Sequence, residues 1–419
     1  MRSAKKAQLG LFPDLISTPR EGEWDFTGED TQYLTHGLHP YLAAMIPQIA
    51  AKLLELYAPP GTKVLDPFMG GGTVLLESYL ADIASSGFDV NPLAVIIAKA
   101  KVTPIPSKVL ISAMHKFDRL YPAAYPSVLS FPENARMAYW FKPYMFEPLA
   151  RIHKTIAAVI DQATPDFSQN LQILFYCVFS NTVRDVSLTY RGEVRLRRLQ
   201  GKDFERFNPD ILTEFRSRLQ DACRRVSGLP VKSHVPSIQE GDARKIPVAD
   251  NYYDLVITSP PYGDIKNTIP YHQFSKNMLY WLEIGETALE KIRCSSLGSK
   301  TSNKVAPKSR TLRRAIGQMK KPNLIHEAIC FYADYWDALR ETARVTSQKI
   351  IIITGSRILD GVALDNPAIT SDLMGQIGWR LEAQYSRVIR KKRIHRKMGF
   401  GNNAQGGTID HEEILVYRK

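Results

Sequence analysis

The motif TSPPY places a hydroxyl group and an aromatic ring directly after an apolar run, LVI. Proline cannot donate to a sheet ladder, and it pushes the residue before it into extended space. Pro260 and Pro261 therefore end a strand and hold Ser259 and Tyr262 on a stiff segment at its carboxyl end. A serine hydroxyl fixed in this way can accept a hydrogen bond from a substrate, and a tyrosine ring can stack on a base.

Three aspartates take the same position after other short apolar strands: Asp66, Asp89 and Asp242. Asp66 opens the turn DPFMGGGT, whose glycines permit positive φ and let a ligand approach the backbone. The turn is neither a phosphate-binding loop nor a GxGxxG motif. Asp89 follows Asp66 by 23 residues, where an acid can bind both hydroxyls of a ribose. Each aspartate alone could be a cap or turn residue, but together they predict a ligand site at the strand ends of a parallel sheet.

The elements that must position these residues alternate between helix and strand. Helical spacing over 39–58 precedes a strand at 64–65 and a helix that starts at 74. A second short strand ends at Asp89, and a helix follows from about Pro92. This alternation predicts βαβ units, a parallel sheet and helices on its faces.

The strand pattern stops between about 105 and 236. The segment is mostly helical in pattern there, over 144–162, 167–188 and 208–227. Strands return afterwards in the segments IQEGDARKIP, YYDLVITSPPY, QKIIIITG, QYSRVI and EEILVYRK. The sequence therefore predicts one α/β domain that is split by a largely helical insertion.

The net charge of +13 favours a polyanionic partner, with nucleic acid first and an acidic membrane surface a distant second. The charge is clustered: 387–397 holds seven Lys or Arg, 291–321 holds ten, and neither stretch contains an acid. A single run could be a solvated face, but two acid-free runs favour phosphate contact. The second run has loop composition and predicts a segment that orders on its partner. The candidate DNA-binding residues are Arg313, Arg314, Lys320, Lys321, Arg390, Lys391, Lys392 and Arg393.

The sequence also indicates in which cellular compartment the protein is expected. The longest strongly apolar stretch, LQILFYCVF, is far shorter than a bilayer span, and the N-terminus lacks the apolar core of a signal peptide. The four cysteines are too far apart for a metal knuckle or a redox pair, which predicts reduced structural thiols and no metal site. We expect a cytoplasmic, nucleoid-associated protein that is a monomer or a weak dimer.

The quoted motifs resemble those of the S-adenosylmethionine-dependent amino-methyltransferases of DNA. DPFMGGGT resembles their DPFxGxGT cofactor motif, and TSPPY resembles their catalytic (S/N/D)PP(Y/F/W) motif. THGLHPYLAAMIPQIAAKLL, GFDVNPLA and GDARKIP are similar to three further cofactor motifs, and EEILVYRK is similar to the closing strand. The serine form of the tetrapeptide is typical of the cytosine-N4 enzymes. The resemblance covers about 35–104, 238–283 and 345–419.

The resemblance implies a Rossmann-like methyltransferase sheet, mostly parallel with an antiparallel last strand, and S-adenosylmethionine as cofactor. The turn that starts at Asp66 would lie against the amino-acid part of the cofactor, Asp89 against its ribose and Asp242 against its adenine. The implied catalytic residues are Ser259, Pro260, Pro261 and Tyr262. The implied cofactor-binding residues are His39, Pro40, Asp66, Pro67, Phe68, Gly70, Gly72, Thr73, Asp89, Asn91, Asp242 and Ala243.

The implied reaction is methylation of N4 of a flipped-out cytosine in double-stranded DNA, within a restriction–modification system that could include a cognate endonuclease. Ser259 and the Pro260 carbonyl would accept the hydrogens of the amine, Tyr262 would stack on the base, and Asp264 is a candidate proton acceptor. Three alternatives stay open: an adenine-N6 DNA methyltransferase, an RNA base methyltransferase, and a catalytically inactive DNA-binding homologue. A small-molecule methyltransferase fits poorly with the charge of +13.

The motif positions divide the chain into three parts. We expect an N-terminal cofactor-binding part at 24–104, a helical insertion and candidate DNA-recognition region at 105–236, and a catalytic part at 237–419 with a basic loop at 290–323. Many relatives place DPFxGxGT after the catalytic motif, whereas it comes first here. Motif order therefore does not locate the target-recognition region in this chain.

Overall fold

The computed structural model describes residues 22–125, 130–190, 196–263, 271–299, 304–389 and 411–419. A seven-stranded sheet with the order β3-β2-β1-β4-β5-β9-β8 forms its centre, and β6 and β7 form a separate hairpin. The strands are β1 (Val64–Asp66), β2 (Ser85–Asp89), β3 (Ser237–Glu240), β4 (Tyr253–Thr258), β5 (Thr346–Thr354), β6 (Arg357–Leu359), β7 (Val362–Leu364), β8 (Arg380–Val388) and β9 (His411–Arg418).

Strands β3, β2, β1, β4 and β5 are parallel, and β9 runs antiparallel to both of its neighbours. The prediction of a mostly parallel Rossmann-like methyltransferase sheet with an antiparallel last strand is therefore confirmed. The order places the ends of β1, β2, β3 and β4 side by side at one edge. From β1, the next strands along the chain are added on one side (β2, β3) and then on the other (β4, β5). Open α/β sheets bind ligands at the point where the strand order switches in this way.

The described helices are α1 (Pro47–Tyr57), α2 (Thr73–Leu80), α3 (Pro92–Val102), α4 (Ser107–Leu120), α5 (Met137–Trp140), α6 (Phe146–Asp161), α7 (Pro165–Val186), α8 (Gly201–Arg206), α9 (Ile211–Ser227), α10 (Tyr271–Trp281), α11 (Gly285–Ser295), α12 (Arg310–Ile316), α13 (Pro322–Val345) and α14 (Asn366–Gln376). Four short 3-10 turns accompany them, at Leu34–Leu38, Tyr121–Ala123, Glu133–Ala135 and Pro143–Met145. Within the described ranges, no helix is both long and apolar enough to cross a membrane.

The central strands are apolar on both faces because helices cover both sides of the sheet. In β5, Ile350 and Ile352 pack into one apolar core, while Ile351 and Ile353 pack into the other. This alternation follows from the two-residue period of a strand. It explains why the run IIII reads as continuous in the sequence and yet serves two separate cores.

The regular elements that the structure describes between 105 and 236 are helices α4 to α9. Their core includes Phe117, Phe175 and Phe215, and the ring centroids of Phe117 and Phe215 lie 4.9 Å apart. Leu93 and Ile97 of α3 belong to the same apolar core. These helices therefore pack directly on the α/β part of the chain. Their assignment as a DNA-recognition region stays a prediction.

Two expected elements differ in the structure. The predicted helix at 39–58 begins only at Pro47, because a proline restricts the residue before it and Ile46 is extended (φ −72°, ψ 139°). The predicted basic loop at 290–323 contains the end of α11, all of α12 and the start of α13. Leu312 is buried in α12, and the Leu312 N–H donates to the capping Ser309 hydroxyl at 3.1 Å. An apolar anchor and an N-cap thus form a helix within a stretch that composition alone assigns to a loop.

Candidate active site

A pocket lies at the carboxyl ends of β1, β2, β3 and β4. The turns after these strands line it together with a segment that precedes α1 and the end of α11. The lining residues are Tyr41, Leu42, Ala43, Ala44, Met45, Asp66, Pro67, Phe68, Met69, Gly70, Gly71, Thr73, Val74, Asp89, Val90, Asn91, Gly241, Asp242, Ala243, Ser259, Pro261, Gly263, Tyr271, Ile292, Ser295, Ser296 and Leu297. The four strand-end segments that the sequence singles out therefore meet in one place.

Asp66 connects β1 to the end of β4. The side chain is only 3% exposed, and its Oδ1 accepts hydrogen bonds from the Thr258 hydroxyl (2.7 Å) and from the Phe68 N–H (3.1 Å). Burial raises the pKa of Asp66 to about 7. These contacts fix the start of the glycine turn against the residue that precedes Ser259.

Asp89 connects the turns after β1 and β2. Its Oδ2 accepts from the Gly70 N–H (3.0 Å), and its Oδ1 accepts from the Asn91 N–H (2.8 Å). Burial raises the pKa of Asp89 to about 6. Because a carboxylate oxygen has more than one acceptor site, each oxygen can still accept from a ligand hydroxyl.

The glycine turn serves packing as well as binding. Gly72 has φ +74°, and a Cβ on it would lie 2.7 Å from the Ala98 Cβ of α3. Gly72 therefore allows α2 to approach α3 and does not line the pocket, in contrast to the predicted cofactor contact. Gly70, at φ +48°, and Gly71 do line it.

Asp242 lies in the pocket but already has a partner from the protein. Its two carboxylate oxygens accept from Arg244, through Nε at 2.9 Å and Nη2 at 2.6 Å. Arg244 also donates to the buried Asp334 (2.7 Å) and to the Ser295 carbonyl at the end of α11 (3.1 Å). Asp242 therefore helps to hold α11 beside the pocket, next to the buried Ala243.

The structure brings part of the predicted catalytic tetrapeptide into the same pocket. Ser259 and Pro261 line it, while Pro260 is buried and does not. The Tyr262 hydroxyl donates to Glu412 of β9 at 2.9 Å, and Tyr262 is not a lining residue. The stacking role predicted for Tyr262 stays a prediction.

Asn366, the first residue of α14, is a functional candidate that the sequence does not reveal. Its side-chain amide donates to the carbonyls of Tyr262 (3.0 Å) and Gly355 (2.8 Å). Its Oδ1 accepts from the Tyr332 hydroxyl at 2.5 Å, and the side chain is 3% exposed. The backbone of the tetrapeptide is thus tied to the end of β5 by a fully engaged buried amide.

The segment before α1 reaches the pocket through residues other than the predicted ones. His39 is 2% exposed, its Nδ1 donates to the Pro40 carbonyl (2.7 Å), and burial lowers its pKa to about 3. Neither His39 nor Pro40 lines the pocket, whereas 41–45 do. The Tyr41 hydroxyl accepts from the side chain of Asn91 at 3.2 Å. The late start of α1 leaves 41–45 free to make these contacts.

The predicted DNA-binding residues fall into two groups. Arg313, Arg314, Lys320 and Lys321 are exposed on and after α12, and the backbone N–H groups of both lysines donate to Asp360 (2.6 and 2.9 Å). Arg390, Lys391, Lys392 and Arg393 lie outside the described residues, as does Asp264. Among the residues that the structure describes, no group of three or more His, Cys, Asp or Glu could hold a metal ion.

The strand order and the strand-end pocket match the Rossmann-like methyltransferase fold. A type II methyltransferase of Kocuria varians, M.MvaI, is 30% identical over an alignment of 431 residues, which covers 94% of this chain and 93% of that protein. M.MjaII, a type II methyltransferase of Methanocaldococcus jannaschii, is 39% identical over 67 residues, or 16% of this chain and 13% of that protein. No protein-family model matches the sequence.

Among solved structures, TrmN from Thermus thermophilus matches 90% of this chain with 12% identity and a TM-score of 0.27. The chain spans 49% of that protein, and nothing further rests on this likeness. The near full-length match to M.MvaI is decisive: this chain belongs to the type II methyltransferase family. The predicted membership in a restriction–modification-like family of DNA methyltransferases is thereby confirmed.

Proposed function

We propose that the protein transfers a methyl group from S-adenosylmethionine to N4 of a flipped-out cytosine in double-stranded DNA. The observation that carries this proposal is the single pocket that joins Asp66, Asp89 and Asp242 to Ser259. In this proposal, the donor binds beside the three aspartates and the amine of the base binds beside Ser259. The family membership and the motif SPPY support the same reaction.

The residues of the pocket fit the cofactor. Asp89 keeps free acceptor sites for two ribose hydroxyls, Gly70 and Gly71 leave room beside the backbone, and Ala243 provides a small buried surface next to Asp242. When bound, S-adenosylmethionine supplies a methyl group that its sulfonium makes electrophilic. We assign its ribose to Asp89 and its adenine to the Asp242–Ala243 side of the pocket.

The proposed role of Ser259 is to prepare the amine of the base. The amine lone pair is delocalised into the ring, so it is a poor nucleophile. Hydrogen bonds from the amine to the Ser259 hydroxyl and to the Pro260 carbonyl would favour a pyramidal nitrogen with an available lone pair. Most of the acceleration would come from this positioning, since Asp66 and Asn366 fix the segment at both ends.

The base must leave the duplex to reach this pocket. We assign Tyr262 to stacking on the extruded ring, with the hydrogen bond to Glu412 holding the hydroxyl edge of the tyrosine. The exposed charges of Arg313 and Arg314 on α12 are proposed phosphate contacts. The proton that the product amine releases would pass to solvent or to an acceptor such as Asp264.

Mass spectrometry of nucleosides tests the proposal. Duplex DNA is incubated with the protein and methyl-labelled S-adenosylmethionine, and N4-methylcytosine without N6-methyladenine is expected. Ser259→Ala should keep the affinity for the cofactor and lower turnover about 10- to 100-fold, because an aligned hydrogen bond is worth about 1–3 kcal/mol. Ser217→Ala, on an exposed position of α9, is the matched control.

Three results would contradict parts of the proposal. N6-methyladenine would show that the serine of SPPY does not specify cytosine in this protein. If RNA offered to the protein became labelled and DNA did not, the substrate would be RNA. Full activity of Ser259→Ala would refute the role given to its hydroxyl, whichever base is modified.

A further inference from the structure

Lys101 is a buried lysine in the last turn of α3. Its side chain is only 3% exposed, and its Nζ lies 3.4 Å from the position that a Cβ on Gly71 would occupy. The same virtual Cβ lies 3.0 Å from the Cβ of Tyr41. Gly71 and Tyr41 both line the pocket, so the ammonium group lies directly behind the wall that they form.

Among the residues that the structure describes, none forms a hydrogen bond or an ion pair with the Nζ of Lys101. Cys177 lies near it, but burial raises the pKa of that thiol to about 12, so the thiol is neutral at pH 7. The nearby imidazoles of His36 and His39 are neutral as well, because burial lowers both pKa values.

The nearest buried acid on α2 already has partners. Glu77 Oε1 accepts from the Tyr33 hydroxyl and from His36 Nε2, both at 2.6 Å. Burial lowers the pKa of Lys101 to about 8, so the group is still mainly charged at pH 7. A buried charge that lacks a partner is unfavourable, which favours a ligand that supplies the missing anion.

The pocket contains a second feature that favours an anion beside Lys101. Gly72 is the N-cap of α2 and offers no side chain to the first N–H groups of that helix. Thr73 and Val74, which carry such N–H groups, line the pocket. A helix N-terminus attracts negative charge through its free N–H groups and its dipole. None of the described lining residues is Lys or Arg, and the Lys101 ammonium group, directly behind Gly71, places a cation next to the pocket.

We propose that Lys101 is the counterion for the carboxylate of the donor's amino-acid part, which binds between the Lys101 ammonium and the N-terminus of α2. The inference rests on the proposed use of S-adenosylmethionine and deepens it. The strand-end carboxylates cannot bind the carboxylate of the cofactor, since like charges repel. The inference gives this group a partner of opposite charge. Because Gly71 has no side chain, the ammonium group of Lys101 can approach the ligand past this residue.

A two-by-two comparison of ligand and variant tests this role by calorimetry. The ligands are S-adenosylmethionine and its decarboxylated form, which keeps the sulfonium and the amine and lacks only the carboxylate. Wild type should bind the decarboxylated form about 10-fold more weakly or worse, as expected when a charge-assisted hydrogen bond is removed. Lys101→Met should bind S-adenosylmethionine correspondingly more weakly, with no further loss for the decarboxylated form.

Thermal unfolding without ligand gives a second readout. Lys101→Met should be as stable as wild type or more stable, because an apolar side chain replaces a buried unpaired charge. Lys99→Met, two positions away on α3 and partly exposed, is the control and should leave the preference for the carboxylate intact.

Several results would overturn the inference. Equal losses of affinity for both ligands in Lys101→Met would mean general damage to the pocket, and equal affinities in wild type would mean that the carboxylate is not recognised. Equal affinities in wild type overturn the inference even where the variant fails to fold. Wild type that binds neither ligand would instead refute the proposed use of S-adenosylmethionine, and the inference with it.

Discussion

Replacing Asp89 by alanine is expected to weaken binding of S-adenosylmethionine by about 1–3 kcal/mol, or about 5- to 150-fold in Kd. The magnitude follows from the contacts. Each carboxylate oxygen accepts one backbone N–H, from Gly70 at 3.0 Å or from Asn91 at 2.8 Å, which leaves acceptor sites for two ribose hydroxyls. The variant removes those acceptors and also loosens the two turns that surround them.

The pKa of Asp89 gives this prediction a pH dependence. Burial raises it from 3.8 to about 6 in the folded protein. Ribose hydroxyls donate to the ionised form and stabilise it, so binding should release a proton near pH 6. The affinity of wild type should therefore rise between pH 5 and pH 7, and the affinity of Asp89→Ala should not.

The raised pKa of Asp89 affects the stability of the ligand-free protein in the opposite direction: stability falls with rising pH, whereas the affinity for the cofactor rises. The folded state favours the protonated carboxyl, so the contribution of Asp89 to stability is fully present below pH 3.8 and is lost as the pH rises through about 6. A pKa difference of about 2 corresponds to about 3 kcal/mol as an upper bound for this partly exposed side chain. The proposed cofactor would therefore bind to an acid whose ionisation at pH 7 costs the ligand-free protein stability.

Calorimetry across pH 5 to 8 measures both the affinity for the cofactor and the stability of the ligand-free protein. Asp161→Asn, on an exposed position of α6, is the control. An affinity that is unchanged in Asp89→Ala would assign this residue to turn structure alone. An affinity that falls in the variant but is flat with pH in wild type would instead refute the raised pKa.

Three further predictions concern the substrate side. Asn366→Ala should lower turnover at unchanged cofactor affinity and reduce the free energy of unfolding by about 1–3 kcal/mol, since two buried carbonyls lose their donor; rates and denaturant unfolding report these, and unaltered rates would limit Asn366 to stability. Tyr262→Ala should lose about 1–3 kcal/mol of stacking, seen as weaker capture of DNA that contains an unpaired target base; equal binding would exclude stacking. Neutralising 390–393 together should lower DNA affinity and reduce the log–log salt slope by roughly 0.9 for each phosphate that the variant no longer binds; an unaltered slope would place that run away from DNA.

The sequence by itself determined the parts of this site that are local. DPFMGGGT and TSPPY each contain a strand end and the residues that turn the chain, so their backbone conformation follows from glycine and proline within a few positions. The period-two and helical patterns around them then predict a parallel sheet, and the strand ends of a parallel sheet share one edge. The local patterns are therefore enough to place Asp66, Asp89, Asp242 and Ser259 at one edge of the sheet.

Tertiary structure decided which other residues reach the same pocket. Tyr41 and Ser295 line it, and Asn366 holds the TSPPY segment, yet each lies far along the chain from its partners and in an ordinary local pattern. The resemblance pointed to His39 in the segment before α1, and nothing local shows that 41–45 are the residues of this segment that line the pocket. Lys101 looks like an exposed lysine at the end of a helix, and only the packing of α3 against the glycine turn buries it. Contacts of this kind depend on how the elements pack, and a local pattern cannot encode the distance between two surfaces that meet only after folding.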